Sequence, residues 1–325
     1  MTHPLYVSPI DQSPLKQIDD YLQDQTGNQF PIQNGIPNFI YPKELPDSDL
    51  KSIEWYKQNA SSYDTYLPLT FKTFNVDEDQ ERDYIISLLD LKADHRVLEI
   101  GCGTGRDSEK IAQQLGPEGT LYLQDISQEI LDITVSKFSQ KSYSPKINFS
   151  YANGYYLPFP DQYFDRSFHL GGLNTFGDIK RALAELTRVT KTGGKIVIGD
   201  ENMPIWLRET EFGRVLMNSN PHFQHHVPLE ALPIEARNVK VEWVTGGVFY
   251  VISFDVGSGE PYADLDFELP GIRGGTHRSR YYGHLEGLSE SAKKMAQLAR
   301  EKSNKSMYQW LNDAIEKAAK DDLKD

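Results

Sequence analysis

The spacing of apolar and polar positions changes character several times along the chain. The first fifty residues are polar and proline-rich, with short extended pieces around Tyr6, Phe30 and Phe39. Residues 48–92 keep helical spacing and close on the amphipathic run Tyr84-Ile85-Ile86-Ser87-Leu88-Leu89. From there, short apolar runs alternate with helical patterns. Residues 97–100, 120–124, 147–151, 164–170 and 195–198 read as strands. Residues 107–115, 128–138 and 179–190 read as helices, the last stopped by Gly193-Gly194. Such alternation predicts parallel βαβ units and a doubly wound sheet.

Beyond residue 200 the pattern loosens. Residues 201–238 hold an aromatic and histidine cluster (Trp206, Phe212, His222, Phe223, His225, His226) with no clear period. Residues 239–244 and 248–256 then alternate on either side of Thr245-Gly246-Gly247, which predicts a hairpin. The tail closes on a helix pair: Met307, Trp310, Leu311, Ala314, Ile315 and Ala318 keep helical spacing, and Ser306 with Gln309 forms a capping box. The expected organisation is an arm (1–47), an α/β domain (48–256) with a cap inserted at 201–238, and an extension (257–325).

Composition narrows the class. A chain of 325 residues exceeds one typical domain, and 38% hydrophobic residues suffice for a core. No apolar run is long enough to span a bilayer, and residues 1–20 lack the basic-then-apolar order of an export signal. Cys102 is the one cysteine, so neither an internal disulfide nor a cysteine-based zinc site can form within the chain. These features favour a cytoplasmic protein. A net charge of -13 repels phosphate backbones and counts against a nucleic-acid-coating role.

The segment Val97-Leu98-Glu99-Ile100-Gly101-Cys102-Gly103-Thr104-Gly105-Arg106 carries the candidate chemistry. A strand running into Gly-x-Gly-x-Gly and then a helix brings backbone close to a ligand. Dinucleotide-binding enzymes place the third glycine one residue later, where this chain has Arg106. Asp125 ends the second strand, where a carboxylate can accept two hydrogen bonds from a ribose diol; as a plain alternative it caps the next helix. Asn153 follows the third strand, where its amide suits a purine edge, or Asn153-Gly154 is a simple turn. The run from Leu157 to Asp165 precedes the fourth strand. Order and spacing, more than any one signal, carry the case.

Taken together, residues 95–200 resemble the seven-stranded class I methyltransferases dependent on S-adenosylmethionine, near the ubiquinone and menaquinone C-methyltransferase branch. The resemblance implies a Rossmann-like, mostly parallel sheet ending in an antiparallel hairpin, which residues 239–256 would supply. It implies that Glu99, Gly101, Cys102, Gly103, Thr104 and Gly105 hold the methionine end of the cofactor, that Asp125 holds the ribose, and that Ile126 packs on adenine. Ala152 and Asn153 would read the adenine edge, although the family often has Asp where this chain has Asn153. Tyr56, Tyr63 and Tyr66 resemble the family's N-terminal cover. Residues 5–15 and 30–40 resemble the ends of small zinc-ribbon modules, without the cysteines that would stand near Ser8 and Asp11.

The acceptor side is less legible. His169, near the carboxyl end of the fourth strand, is the candidate base, with a structural histidine as the alternative. Gly171-Gly172-Leu173-Asn174 suggests close approach of substrate, with Asn174 a contact. His222, His225 and His226 lack a carboxylate in a ligand pattern, so no metal is expected. Arg273-Gly274-Gly275-Thr276-His277-Arg278-Ser279-Arg280-Tyr281-Tyr282-Gly283-His284 is a basic, aromatic island in an acidic chain. Arg278, Arg280 and Tyr282 are candidate contacts to an anionic acceptor, or simply a solvated loop. The resulting expectation is methylation of a small or medium-sized organic acceptor at O, N or C. An RNA base methyltransferase and a catalytically silent cofactor-binding module are the alternatives, and a homodimer stays open.

Overall fold

A computed structural model describes residues 6–270, 275–282 and 288–324, with only the backbone of Ser279 and Tyr282. Leu5 of the arm and Arg273, Gly274, Gly283 and His284 of the basic island lie outside the described residues. The chain divides into two compact units, Met1–Pro261 and Tyr262–Asp325.

The first unit opens with four short antiparallel strands: β1 (Lys16–Ile18), β2 (Tyr21–Gln23), β3 (Gln29–Gln33) and β4 (Ile36–Pro37). Only isolated extended pieces were expected here. The turn at Asn34-Gly35, with φ of 52° and 81°, is the tight hairpin that an Asn-Gly pair encodes. At the centre Asp24 is buried and ties the module together. Its carboxylate accepts from Ser8 Oγ (3.0 Å), Asn28 Nδ2 (2.8 Å), and the Thr26 and Asn28 amides (both 2.9 Å). The arm docks on the main domain through Phe39, fully buried against Ala152 and Phe30, and Phe39 N donates to Tyr151 O at 2.7 Å.

Two helices follow, α1 (Asp47–Thr73) and α2 (Glu78–Ser87). The alternating region then runs β5 (Arg96–Ile100), α3 (Arg106–Gln114), β6 (Thr120–Asp125), α4 (Gln128–Ser139), β7 (Lys146–Tyr151), β8 (Phe164–Leu170), α5 (Ile179–Val189) and β9 (Thr190–Glu201). The irregular stretch holds one helix, α6 (Glu211–Ser219), before the hairpin β10 (Ala236–Val244) and β11 (Phe249–Val256). These seven strands form one sheet in the order β10-β11-β9-β8-β5-β6-β7. β11 is antiparallel to both neighbours; the other pairs are parallel.

The sheet is covered on both faces, and the period-two alternation of its strands divides the core accordingly. Val97, Leu121, Leu123, Val197 and Val251 pack with Ile85 and Ile86 of α2, Ile111 of α3 and Leu131 of α4. The intervening residues Leu98, Ile100, Tyr122, Ile196, Ile198 and Ile252 pack with Leu183 and Leu186 of α5. Each such aliphatic side chain, taken fully from water, contributes about 1.5–3 kcal/mol.

The junction of α5 with β9 and the end of β9 differ from expectation. α5 stops at Val189, and Gly193-Gly194 lies within β9 rather than ending the helix. The pairing of β8 with β9 shows why: Phe164 faces Thr190, yet Arg166 faces Lys195, so the glycines occupy a bulge that the left-handed Gly193 (φ 80°) permits. β9 also runs on to Glu201, beyond the apolar run.

The second unit contains α7 (His277–Tyr282), α8 (Glu290–Lys302) and α9 (Met307–Asp322). The capping box at Ser306 and Gln309 forms as its spacing predicts. No helix among the described residues is long and apolar enough to cross a membrane.

Candidate active site

In an open α/β sheet the crevice lies beyond the carboxyl ends of the strands, where the chain reverses its direction of winding. Here winding proceeds from β5 outward to β7, then returns to β8 and β9. A cavity of about 840 Å³ opens at that place, with α1 over it. Single ligands occupy sites of roughly 300–1,000 Å³, so this one is at the roomy end.

The glycine loop follows β5. Gly101 and Gly105 take left-handed φ of 59° and 80°. At Gly101 a Cβ would sit 3.0 Å from the His169 ring, and at Gly105 one would sit 2.9 Å from Thr134 Cγ2. Both conformation and space therefore call for glycine. The loop is held from the β6–α4 side: Asp125 Oδ2 accepts from Gly103 N at 2.9 Å, and Thr134 Oγ1 donates to Gly103 O at 2.6 Å. Asp125 Oδ1 accepts from Ser127 N at 2.9 Å, so the helix-start role also holds, although Ser127 itself caps α4. Burial pushes the Asp125 carboxyl up to about 6 against the pull of these amides.

Three acceptors on this wall have no hydrogen-bond partner among the described residues although they are almost completely buried: Glu99 Oε2, Asn153 Oδ1 and His169 Nε2. Burial, reinforced by Asp107, pushes the Glu99 carboxyl well above the usual carboxylate range. Asn153 spends its amide donor on Tyr41 O, which leaves its oxygen facing the cavity. His169 Nδ1 lies 2.7 Å from Ile100 O. A carbonyl can only accept, so Nδ1 carries the proton and Nε2 keeps its lone pair. Burial holds this imidazole below its usual pKa, hence neutral at pH 7. Leaving buried acceptors unpaired costs about 1–3 kcal/mol each, and a ligand offering donors would relieve it.

α1 forms the cover. Trp55, Tyr56 and Tyr63 line the cavity as edge-to-face neighbours, with Tyr56 and Tyr63 centroids 5.7 Å apart. Burial pushes the Tyr63 phenol to about 12, helped by Asp125 and then Glu201, and also holds the Tyr56 phenol well above its usual value, so both stay neutral donors. Tyr66 does not join them. It stands roughly 80° round the helix from Tyr56 and is 62% exposed. Two acids pin the cover. Asp49 accepts from Gly177 N (2.9 Å) and from the Tyr155 hydroxyl. Asp64 accepts from Thr104 Oγ1 (2.6 Å), Lys137 Nζ (2.6 Å) and Arg106 Nε (3.1 Å), tying α1 to the glycine loop.

Of the residues singled out in the sequence, Glu99, Gly101, Cys102, Gly103, Thr104, Asp125, Ile126, Ala152, Asn153, Tyr63 and His169 line this one cavity. Gly105 stands just behind, as the cap of α3. Asn174 is not among the lining residues; its Nδ2 donates to Glu201 O at 2.9 Å and its amide to Asp200 Oδ2 at 2.6 Å, so it fixes the loop. Arg278, Arg280 and Tyr282 belong to the second unit, where Arg278 Nε pairs with Asp266 at 3.1 Å. Sequence reading missed Glu201, Asn220, Phe176 and Phe249, which also line the cavity. For Glu201 the signal was present. An acid closing a strand, the feature that singled out Asp125, recurs at Asp200-Glu201.

A seven-stranded sheet with one reversed strand and a glycine turn after its central strand, paired to an acid ending the next, is the arrangement of class I methyltransferase domains, whose methyl donor is S-adenosylmethionine. Residues 51–208 match the model of the ubiE/COQ5 methyltransferase family. A ubiquinone/menaquinone biosynthesis C-methyltransferase of Saccharophagus degradans is 32% identical over 123 residues, 38% of this chain and 49% of that one. Its counterpart in Francisella tularensis subsp. novicida is 36% identical over 109 residues, 34% of this chain and 44% of that one. The chain thus spans about half the length, or less, of these curated relatives. A solved phosphoethanolamine N-methyltransferase 2 of Haemonchus contortus is 11% identical with a TM-score of 0.49, covering 68% of this chain and 62% of its own. Over residues 51–208 the chain is similar to the ubiquinone and menaquinone C-methyltransferase branch.

Proposed function

We propose that this chain transfers the methyl group of S-adenosylmethionine to a small or medium-sized organic acceptor. The observation that carries this is the set of three buried, unpartnered acceptors (Glu99, Asn153 and His169) around a glycine cradle in one roomy cavity. The residues fit the cofactor. Glu99 suits an ammonium group, and Gly101, Cys102, Gly103, Thr104 and Gly105 would hold the methionine end. Asp125 already accepts two amides and keeps lone pairs for a ribose diol. Ile126 and Ala152 would flank adenine, whose amino group would complete Asn153 Oδ1.

When bound, the cofactor supplies an electrophilic methyl on sulfur. The chain's own contribution is positioning, exclusion of water by α1, and the electron-rich faces of Tyr56 and Tyr63 beside a cation. His169 Nε2 can accept a proton from the acceptor, a role its fixed tautomer supports. A cytoplasmic setting and a homodimer belong to the same reading, the first supported by Cys102 being buried and free. RNA methylation is disfavoured by the acid-lined cavity, and the silent-module reading by the spare room in it.

Calorimetry with S-adenosylhomocysteine tests the reading. The full chain should bind it, and Asp125→Ala should weaken binding by about 1–3 kcal/mol. No detectable heat with pure folded protein would sink the reading. Acceptor-dependent formation of S-adenosylhomocysteine separates an enzyme from a silent module.

A further inference from the structure

The carboxyl edge of the sheet presents its polar groups in a definite order. Asp125 ends β6, Glu99 and the glycine loop end β5, His169 lies on β8, and Glu201 ends β9. Neighbouring strands are about 4.8 Å apart, so three strand steps place β9 roughly 14 Å from β6. If the cofactor takes the β5–β6 half, as proposed above, the β8–β9 half is left for the acceptor. That half is apolar on its flanks, where Leu170, Phe176 and Phe249 line it, and acidic at its end.

Glu201 is the acid there. Its carboxylate accepts from Asn220 Nδ2 at 3.3 Å and forms no ion pair among the described residues. The cations on the wall are already committed: Arg82 to Glu78 and Asp107, Arg106 to Asp64 and Glu78. Lys51 is exposed to solvent. The neighbouring Asp200 is used structurally, accepting from Gly172 N (3.2 Å) and Asn174 N (2.6 Å). Where Glu201 is ionised, above about pH 8, an anionic acceptor would thus meet uncompensated negative charge at the end of its pocket.

We infer that Glu201 is the acceptor-gripping residue of this enzyme, and that the acceptor is an apolar or aromatic molecule presenting an ammonium or hydroxyl donor rather than an anion. The inference rests on the methyltransferase reading and narrows its substrate class. It replaces the anionic acceptor that the arginine island suggested. Burial, then Asp200, pushes the Glu201 carboxyl to about 8 in the ligand-free protein, as expected of a group whose counter-charge comes with the ligand.

The test uses three probes of one shape, benzylamine, benzyl alcohol and benzoate, on the full chain saturated with S-adenosylhomocysteine. Binding is followed by ligand-observed NMR at about pH 8.5, where most of the Glu201 carboxyl is ionised. Benzylamine should bind about tenfold tighter than benzoate, the size of one charged hydrogen bond, with benzyl alcohol between them. In Glu201→Gln the preference should vanish while affinity for S-adenosylhomocysteine is kept. Should that variant fail to fold, the ranking in the unaltered protein decides. Benzoate binding as tightly as benzylamine, no probe binding at all, or a preference that survives in folded Glu201→Gln would each overturn the inference. Failure of the unaltered protein to bind S-adenosylhomocysteine would instead overturn the methyltransferase reading.

Discussion

Replacing Asp64 by alanine should loosen the cover without touching the walls of the cavity. Three side chains converge on that carboxylate, and they do not lose equally. Arg106 keeps Glu78 at 2.6 Å and the backbone oxygen of residue 64 at 2.9 Å. Lys137 keeps Thr104 O at 2.9 Å. Thr104 Oγ1 loses the one acceptor recorded for it, and Thr104 is only 3% exposed. A buried hydroxyl left unpaired costs about 1–3 kcal/mol. The two ion pairs add little, since Asp64 is about one-third exposed and screened pairs contribute roughly 0–1 kcal/mol each. The tether therefore favours the closed cover by about 2 kcal/mol. If binding needs the closed form, the apparent affinity for S-adenosylhomocysteine falls with its population, by at most about 30-fold. Calorimetry gives that number, and hydrogen exchange across Tyr56 to Asp64 reports the opening directly. Unchanged exchange together with affinity within about twofold of the parent would refute the tether.

Other outcomes follow from the same wall and from the arm. Asp125 titrates near 6 when folded and near 3.8 when unfolded, so the fold binds its proton more tightly. Its contribution to stability is fully present below pH 3.8 and is lost as pH rises through 6, so the ligand-free protein should gain stability at this group on going from pH 7 to 5, whereas affinity for S-adenosylhomocysteine should fall over that interval; calorimetry and urea midpoints read both. Gly101→Ala forces a Cβ to 3.0 Å from the His169 ring at a φ of 59° and should cost about 1–2 kcal/mol in chemical denaturation. Asp24 behaves oppositely to Asp125: burial raises its pKa, but hydrogen bonds from Asn28, Thr26 and Ser8 prevail and hold it at about 2. Its contribution is present above pH 3.8 and lost as pH falls toward 2, and Asp24→Ala should destabilise the arm by about 1–3 kcal/mol, seen as faster exchange of the Asn28 amide.

The two kinds of residue in this site differ in how far the sequence discloses them. Glu99, the glycine loop, Asp125 and Asn153 occupy fixed offsets from strands whose apolar runs are plain, so the element pattern places them before any coordinates exist. Asp49 and Asp64 sit on a helix whose own period says nothing of what it will cover; their partners lie at Gly177 and Thr104, far along the chain. The four-stranded arm stayed hidden for another reason. Its strands are two to five residues long, too short for a period to register, although Asn34-Gly35 marked one of its turns. Glu201 falls between these cases. The apolar run of β9 fades at Gly199, yet β11 continues the pairing, Phe249 facing Glu201 and Tyr250 facing Asp200. That reversed neighbour carries β9 on to the cavity. The strand-end rule that marked Asp125 therefore applied here too, but the end of the strand was set by a hairpin fifty residues away, so only the assembled sheet shows which acid stands at the edge.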